Sequence, residues 1–562
     1  MATTAVDGAS DRQQGAVGWL RAAVAWHLFL AVAAAAGALY LVQAPWPEAT
    51  WARLLAVAIL LLTIVGSGAA AVLTYRRRHA GRTLSLALNY LGALTTAVLL
   101  LHLVGTFLAI DALAANFARG IPWLVLLVVG LLVYNSGGAL HDRVARTRRE
   151  WIGRALAWFS ALAFLFAVGL LTALQAVIAR LVDSPALLAL LAAALLFGVM
   201  AWALWRQPAA DAFDTTNAQS EMLQGYLFLS PNLLGFLIFF AGPLLFSLYV
   251  SFTDSDAFGN AQWIGLQNYA EIVNITLQPL ESADQLVTQV LDTDTYVELT
   301  RFSILGRHYV VGAQDKLFWI ALGNTLQYVL MVVPLSVIPA LFLANLLNSK
   351  IPGMKFFRAA YFLPSVAAVV GIALIWQWLY NATVGYINYF ITTAVNFANM
   401  FLGLALTDPQ IRWTSSADTA LIAVAIMAAW QMLGFNTILF LAGLQSIPNT
   451  LYEAAIVDGA GSWSRFTKIT LPLLAPTTFF VLVTTLIKAM QAFEEVFILM
   501  GMNPTGPGNS TLTMVLYLYQ KGFQRFDLGY ASALAWVLFL LIFGLTLVQF
   551  RRQRAGGSTF DM

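Results

Sequence analysis

The sequence contains no cysteine, which excludes disulfide scaffolds, thiolate metal sites and cysteine nucleophiles. Charge is scarce as well. Asp, Glu, Lys and Arg make up 10% of the 562 residues, where a soluble domain carries about a quarter. There are five histidines, and none has a partner at a spacing that suggests a metal site or a catalytic triad. His79 and His141 sit among arginines, His308 in a polar stretch, and His27 and His102 alone in apolar runs. The net charge of +3 is too small to point to a nucleic-acid partner. No G-x-x-x-x-G-K-[ST] occurs, so the chain cannot cradle a triphosphate by P-loop geometry. What is abundant is apolar surface: 60% of residues are hydrophobic and the mean hydropathy is +0.77. One anchor helix on a soluble body would leave domains of ordinary polarity. The expectation is an all-α, polytopic membrane protein.

A spanning helix needs about 20 mostly apolar residues. Twelve stretches qualify, near Ala22–Val42, Leu54–Tyr75, Leu84–Ile110, Pro122–Gly138, Gly153–Ile178, Ala186–Trp205, Gly225–Phe252, Phe318–Leu347, Phe357–Tyr380, Ala420–Gln445, Thr477–Leu499 and Tyr530–Phe550. Lys and Arg are retained on the cytoplasmic side, and they collect in alternate loops: Arg76, Arg77, Arg78 and Arg82; Arg143, Arg146, Arg148 and Arg149; Lys350, Lys355 and Arg358; Arg465 and Lys468; Arg551, Arg552 and Arg554. An even span count then puts both termini in the cytoplasm. A cleavable leader competes for the first segment, but its apolar run is too long for that.

The chain reads as five parts: residues 1–205 with about six spans, a polar and helix-poor linker at 206–222, a first core helix with an acidic outer lobe at 223–316, a core at 317–552, and a tail at 553–562. The lobe carries Asp254, Asp256, Glu271, Glu281, Asp284, Asp292, Asp294, Glu298 and Asp315 against Arg301, Arg307 and Lys316. It suits either docking of an external partner or simple solvation. Asp292-Thr-Asp294 mimics a D-x-D metal motif, but an outer loop meets no cytosolic nucleotide.

One inner loop stands out, from Ser446 to Pro472. It reads as two short helices joined by a turn, with Ser446 capping the first, Pro448 in its first turn, Gly459 and Gly461 ending it, and Ser462 capping the second. Ala454 and Ala455 offer a small-residue face, and Glu453 a carboxylate for a cation on an approaching surface. Glu453, Ala454, Ala455, Gly459, Ile469, Leu471 and Pro472, with Asp458 beside the glycine, match the E-A-A, three residues, G, nine residues, I-x-L-P pattern. This resembles the EAA signature of permease subunits of binding-protein-dependent ABC importers. The stretches 263–270, 357–364, 506–511 and 526–533 are similar to the carbohydrate-uptake, MalF-like sugar permease family, and the resemblance covers about 223–550.

The resemblance implies a type I ABC importer permease core and no catalytic residue in this chain. It implies a loop gripped by a cytosolic ABC ATPase dimer that handles ATP and Mg in trans, so that no cofactor is bound here. It further implies a second, homologous permease subunit, an external solute-binding protein and a carbohydrate substrate, all in a setting of membrane lipid. It does not extend to the first six spans.

Polar groups inside a span are expensive unless they face a cavity or a partner. Thr484, Lys488, Gln491 and Glu495 fall at i, i+4, i+7 and i+11, one face of a continuous helix. The tenth span adds Trp430, Gln431, Phe435 and Asn436. These read either as a polar translocation path or as hydrogen bonding between helices. A self-sufficient secondary transporter is the alternative function, but it usually shows internal repeats and none is found between the halves. A polytopic enzyme would need clustered carboxylates, histidines or nucleophiles at a membrane face, and none is visible.

Overall fold

The computed structural model describes residues 3–43, 50–106, 114–139, 142–256, 261–348 and 352–555. His141, Lys350 and the tail from 556 onward lie outside the described residues. The chain divides into two units, Met1–Leu234 and Gly235–Met562. Among the described residues ten helices are long and apolar enough to cross a bilayer, or up to twelve if each of two sharply bent pairs is one span. The all-α expectation holds, with one small sheet added.

In the first unit the helices Thr3–Gln43, Thr50–Tyr75, His79–Val104, Phe117–Ser136 and Pro185–Trp205 overlap the predicted apolar runs, although the first begins well before Ala22 and the expected end of the third at Ile110 lies outside the described residues. The fifth span does not. Its helix runs from Arg143 to Ala167, and a separate helix covers Leu170–Asp183. Gly169 adopts φ +89° between them, a left-handed conformation that ends a helix. The arginines read as a loop begin that helix instead. Asp142 caps it by accepting from the Val144 N–H at 3.1 Å, and Arg146 pairs with Glu150 one turn on at 2.9 Å.

The segment after Trp205 is likewise not helix-poor. Helices occupy Gln207–Ala212 and the stretch from Asn217, separated by a turn at Asp214 with φ +47°. A buried arginine ties the end of the preceding span to this turn. Arg82 donates to the last carbonyls of the sixth span, Leu204 O at 3.0 Å and Trp205 O at 3.2 Å, and to Thr215 Oγ1 at 3.2 Å. A cation at a helix C-terminus satisfies orphan carbonyls and opposes the dipole. Arg82→Leu leaves those acceptors unpaired and is expected to cost about 2–4 kcal/mol. A thermal scan of the purified protein reads this, and a variant melting with wild type would show the clamp to be idle.

In the second unit the long helices Lys316–Leu347, Ala417–Gln445 and Leu528–Ala555 surround a core that includes Tyr328, Val332, Val424, Met427 and Leu534. The ninth and eleventh spans are not single helices. Met354–Val366 meets Val369–Leu379 at 98°, two residues past Pro364, which removes an N–H from the ladder. Ala475–Met490 ends at Gln491, and Glu494–Met500 starts anew. A further helix, Tyr386–Leu402, was not anticipated, because its tyrosines, asparagines and threonines interrupt the apolar run.

The acidic lobe folds around strands β1 (Ile275–Leu280), β2 (Val297–Ile304) and β3 (Arg307–Ala313), antiparallel in the order β1-β3-β2. Leu305 and Gly306 join β2 to β3 with φ of +52° and +77°, the two positive angles of a tight hairpin turn whose twist matches the strands. Asp292 is a turn residue. It accepts from the Asp294 N–H at 3.2 Å and from Thr295 Oγ1 at 2.8 Å, and among the described residues no group of three His, Asp or Glu could hold a metal.

The lobe is pinned by Asp315, which is buried. One carboxylate oxygen caps the Lys316–Leu347 helix through Phe318 N–H at 3.0 Å, and the other accepts from Tyr517 OH at 2.7 Å and from Tyr530 OH. Burial, with the Asp315 carboxylate adding to it, holds the Tyr517 phenol well above its usual range, so it stays a donor. Lys521 sits over the Tyr530 ring at 4.2 Å. Burial also raises the nearby Glu271 carboxyl, against the pull of Lys521.

Candidate functional site

The two helix breaks line one cleft. Its walls are Ser365 and Ala367–Val370 at the first bend, Phe493, Glu494, Phe497 and Ile498 at the second, and Gln431 and Lys488 from the adjoining helices, around a volume of about 580 Å³. Ala367 and Ala368, which line the cleft, are extended, with ψ of 144° and 132°. Non-helical backbone at membrane depth is tolerated where it is buried in protein or lines a cavity. The second break is held internally, since Thr513 Oγ1 donates to Ala492 O at 2.8 Å and Gln377 Nε2 donates to Ile498 O and Leu499 O, both at 2.9 Å.

The residues expected on one helical face are thus dispersed. Thr484 bonds back to Phe480 O at 2.8 Å, and Lys488 projects into the cleft, exposed and without an ion pair among the described residues. Gln491 lies outside the helix as its C-terminal cap. Glu495, on the next helix, is buried and does not line the cleft, and its neighbour Glu494 lines it instead. The continuous face fails because the ladder breaks at residues 491–493, which rotates everything beyond.

On the tenth span Gln431 is buried and lines the cleft, while Phe435 is half exposed and does not. Asn436 is structural. It donates to Ser336 Oγ at 3.4 Å and accepts from Thr485 Oγ1 at 3.3 Å, tying three helices together. Ser365 and the aromatic pair Phe493 and Phe497, stacked at 5.4 Å, were not singled out in the sequence. Pro364 and the Gln-Ala-Phe run at 491–493 were the available signals.

The inner loop holds a helix, Asn449–Val457, a turn, and a short helix from Ser462. Its caps differ from expectation. Pro448 is the N-cap, the Ser446 hydroxyl donates back to Gly443 O at 2.7 Å, and Gly461 precedes the second helix while Ser462 Oγ accepts from Arg465 at 3.2 Å. The ending is a full Schellman motif: Ala460 N–H donates to Ala455 O at 2.8 Å and Gly459 N–H to Ile456 O at 3.0 Å, with Gly459 at φ +74°. Glycine suits that left-handed position. Tyr452 turns inward, its hydroxyl 2.9 Å from Thr470 Oγ1. Glu453, Ala454 and Asp458 face outward with Ala455 half-buried. Val457 is 87% exposed and Trp463 70%, an apolar surface of the kind that marks an interaction site. Ile469 is half-buried, and Leu471 and Pro472 are exposed, just before the chain bends by 66° into the Ala475–Met490 helix.

The family described as the binding-protein-dependent transport system inner membrane component matches residues 319–554, a segment that contains every residue of the cleft and the loop. Among curated proteins, the "Probable ABC transporter permease protein YesP" of Bacillus subtilis (strain 168) is 34% identical over 344 residues, covering 61% of this chain and 94% of that one. The arabinooligosaccharides transport system permease protein AraP of the same organism is 30% identical over 333 residues, 59% of this chain and 89% of that one. The lactose transport system permease protein LacF of Rhizobium radiobacter is 33% identical over 242 residues, 43% of this chain and 77% of that one. Broken spanning helices around a polar cleft, an exposed E-A-A loop and a relative matched almost end to end lead to one conclusion: the chain belongs to the family of inner-membrane permease components of binding-protein-dependent transport systems.

Proposed function

We propose that the chain forms the translocation path for a carbohydrate, a mono- or oligosaccharide or a sugar derivative, delivered by an external solute-binding protein in an ATP-driven importer. The observation that carries this reading is the cleft at the two helix breaks. It combines the Gln431 amide, the Ser365 hydroxyl and the Lys488 ammonium with the Phe493 and Phe497 rings. Sugars are held by such a mixture of hydrogen bonds and aromatic faces. The names of AraP and LacF, which specify arabinooligosaccharides and lactose, support the substrate class.

In the same proposal a cytosolic ABC ATPase dimer, binding ATP and Mg itself, grips the face of Glu453, Ala454, Ala455 and Asp458. Strain passes through Ile469, Leu471 and Pro472 into the helix that carries Lys488. Both termini lie in the cytoplasm, a second homologous permease completes the path, residues 317–552 are the core, and residues 1–205 are an extension to it.

The test is solute-stimulated ATP hydrolysis and uptake in liposomes, with the ATPase, partner permease and binding protein present. Gln431→Leu is expected to lower sugar-dependent turnover about tenfold or more while the ATPase still co-purifies. A variant transporting at the wild-type rate would remove the cleft from the path. Uptake by wild type without any ATPase would favour a secondary transporter.

A further inference from the structure

A second cavity lies in the first unit, on the hairpin of Phe117–Ser136 and Arg143–Ala167. The two helices touch backbone to backbone. A Cβ on Gly153 would sit 2.4 Å from Tyr134 N, and one on Gly130 would sit 2.8 Å from Ala157 N. Beside that contact lies a groove of about 340 Å³, within the range of ligand pockets of about 300–1,000 Å³. Its walls are apolar, formed by Leu127, Leu131, Trp158 and Ala161.

One end of the groove is different. The Arg154 guanidinium lies 5.0 Å from the centroid of the Tyr134 ring, and its NH2 group is 3.4 Å from the Tyr134 hydroxyl. Arg154 is exposed and makes no ion pair among the described residues. Arg143, Arg148 and Arg149, toward the start of the same helix, are also without one. The carboxylate of Glu150 is already occupied by Arg146 at 2.9 Å. The hairpin therefore presents an apolar trough with surplus positive charge at one mouth.

In a bilayer, any acyl chain can fill an apolar trough, but only an anionic headgroup answers the uncompensated guanidinium. Arginine near a span end reaches the headgroup level with its stem along apolar surface, and basic pockets between spanning helices bind anionic lipid heads. We propose that this groove is a binding site for one anionic phospholipid, with an acyl chain along Leu127, Leu131 and Trp158 and the phosphate at Arg154.

The test uses the full-length chain, purified in detergent, stripped of lipid, and titrated with phosphatidylglycerol or phosphatidylcholine while native mass spectrometry counts bound lipids. Wild type is expected to hold one phosphatidylglycerol in preference to phosphatidylcholine. Arg154→Gln should weaken phosphatidylglycerol about fivefold and leave phosphatidylcholine unchanged, Arg154→Lys should restore most of the loss, and Ala161→Trp, which fills the trough, should weaken both lipids. Arg206→Gln, at an arginine stacked on Trp202, is the control for surface charge. No headgroup preference in wild type overturns the proposal. So does wild-type retention by folded Arg154→Gln and Ala161→Trp variants, or an equal loss from Arg206→Gln. If those variants fail to fold, a photoactivatable phosphatidylglycerol on wild type decides: labelling of residues 127–134 or 153–161 supports the site, and labelling only elsewhere overturns it.

Discussion

Exchanging Gly459 for leucine, or Glu453 for lysine, is expected to uncouple this permease from ATP hydrolysis while leaving the spanning helices intact. The two substitutions act by different physics. Gly459 holds φ +74° at the end of the Asn449–Val457 helix, a conformation that costs an L-residue roughly 1–2 kcal/mol. Leucine there would give up the Schellman pairing of Ala460 with Ala455 and of Gly459 with Ile456 and let the helix end fray. Glu453 is exposed and makes no side-chain bond among the described residues, so lysine should not disturb the fold. In the proposed contact it reverses the charge offered to the ATPase, and losing a buried interface charge pair there would cost about 2–5 kcal/mol. Retention of the ATPase on an affinity column and solute-stimulated hydrolysis should both fall at least about tenfold. Wild-type values for both variants would disprove the role given to this loop.

Replacement of Asp315 by leucine should be the most damaging single change outside the loop. This carboxylate is buried and accepts from a helix-terminal N–H and from two tyrosine hydroxyls that originate more than 200 residues away. Hydrogen bonds to a charged group contribute about 1.5–3 kcal/mol each. Leucine would forfeit all three and leave the buried Tyr517 and Tyr530 hydroxyls without their acceptor. Asp315→Leu is expected to lose several kcal/mol and to yield little folded protein, whereas Asp315→Asn, which retains a carbonyl oxygen, should express with a lower melting temperature. Detergent gel filtration and thermal unfolding measure both. Equal melting of wild type and Asp315→Leu would show that the lobe is anchored elsewhere.

These two expectations differ in how far the sequence alone reaches them. The E-A-A loop was legible because its chemistry is local: small residues, a glycine at a left-handed helix end and a proline before a bend are all set by neighbours within about twenty positions. In the sequence Asp315 is one acid among several in an acidic lobe. Nothing in its own stretch says that Tyr517 and Tyr530 converge on it, since only folding brings them there. Arg82 is a similar case, counted with the loop arginines although it closes the end of a helix more than 100 residues on.

The path residues show the same division within one helix. Lys488 and Gln431 were found because a polar group in an apolar span is anomalous wherever it points, and the structure places both on one cleft. The assumption of an unbroken helix carried Gln491 and Glu495 to the wrong face, and hydropathy cannot report a break that costs no apolar residues. The strands β1, β2 and β3 are masked in the sequence by the charge of the lobe that contains them.

By itself, the sequence determined that the protein is helical and membrane-embedded, about where most of its spans lie, and that one loop carries a permease signature, because apolar run length and short-range motifs act within a single segment. Tertiary structure alone decided where spans break, which polar groups meet in a cleft and which are consumed as ties between helices. Those outcomes depend on backbone hydrogen bonds being satisfied by residues distant in the chain, and no local pattern records which distant residue arrives.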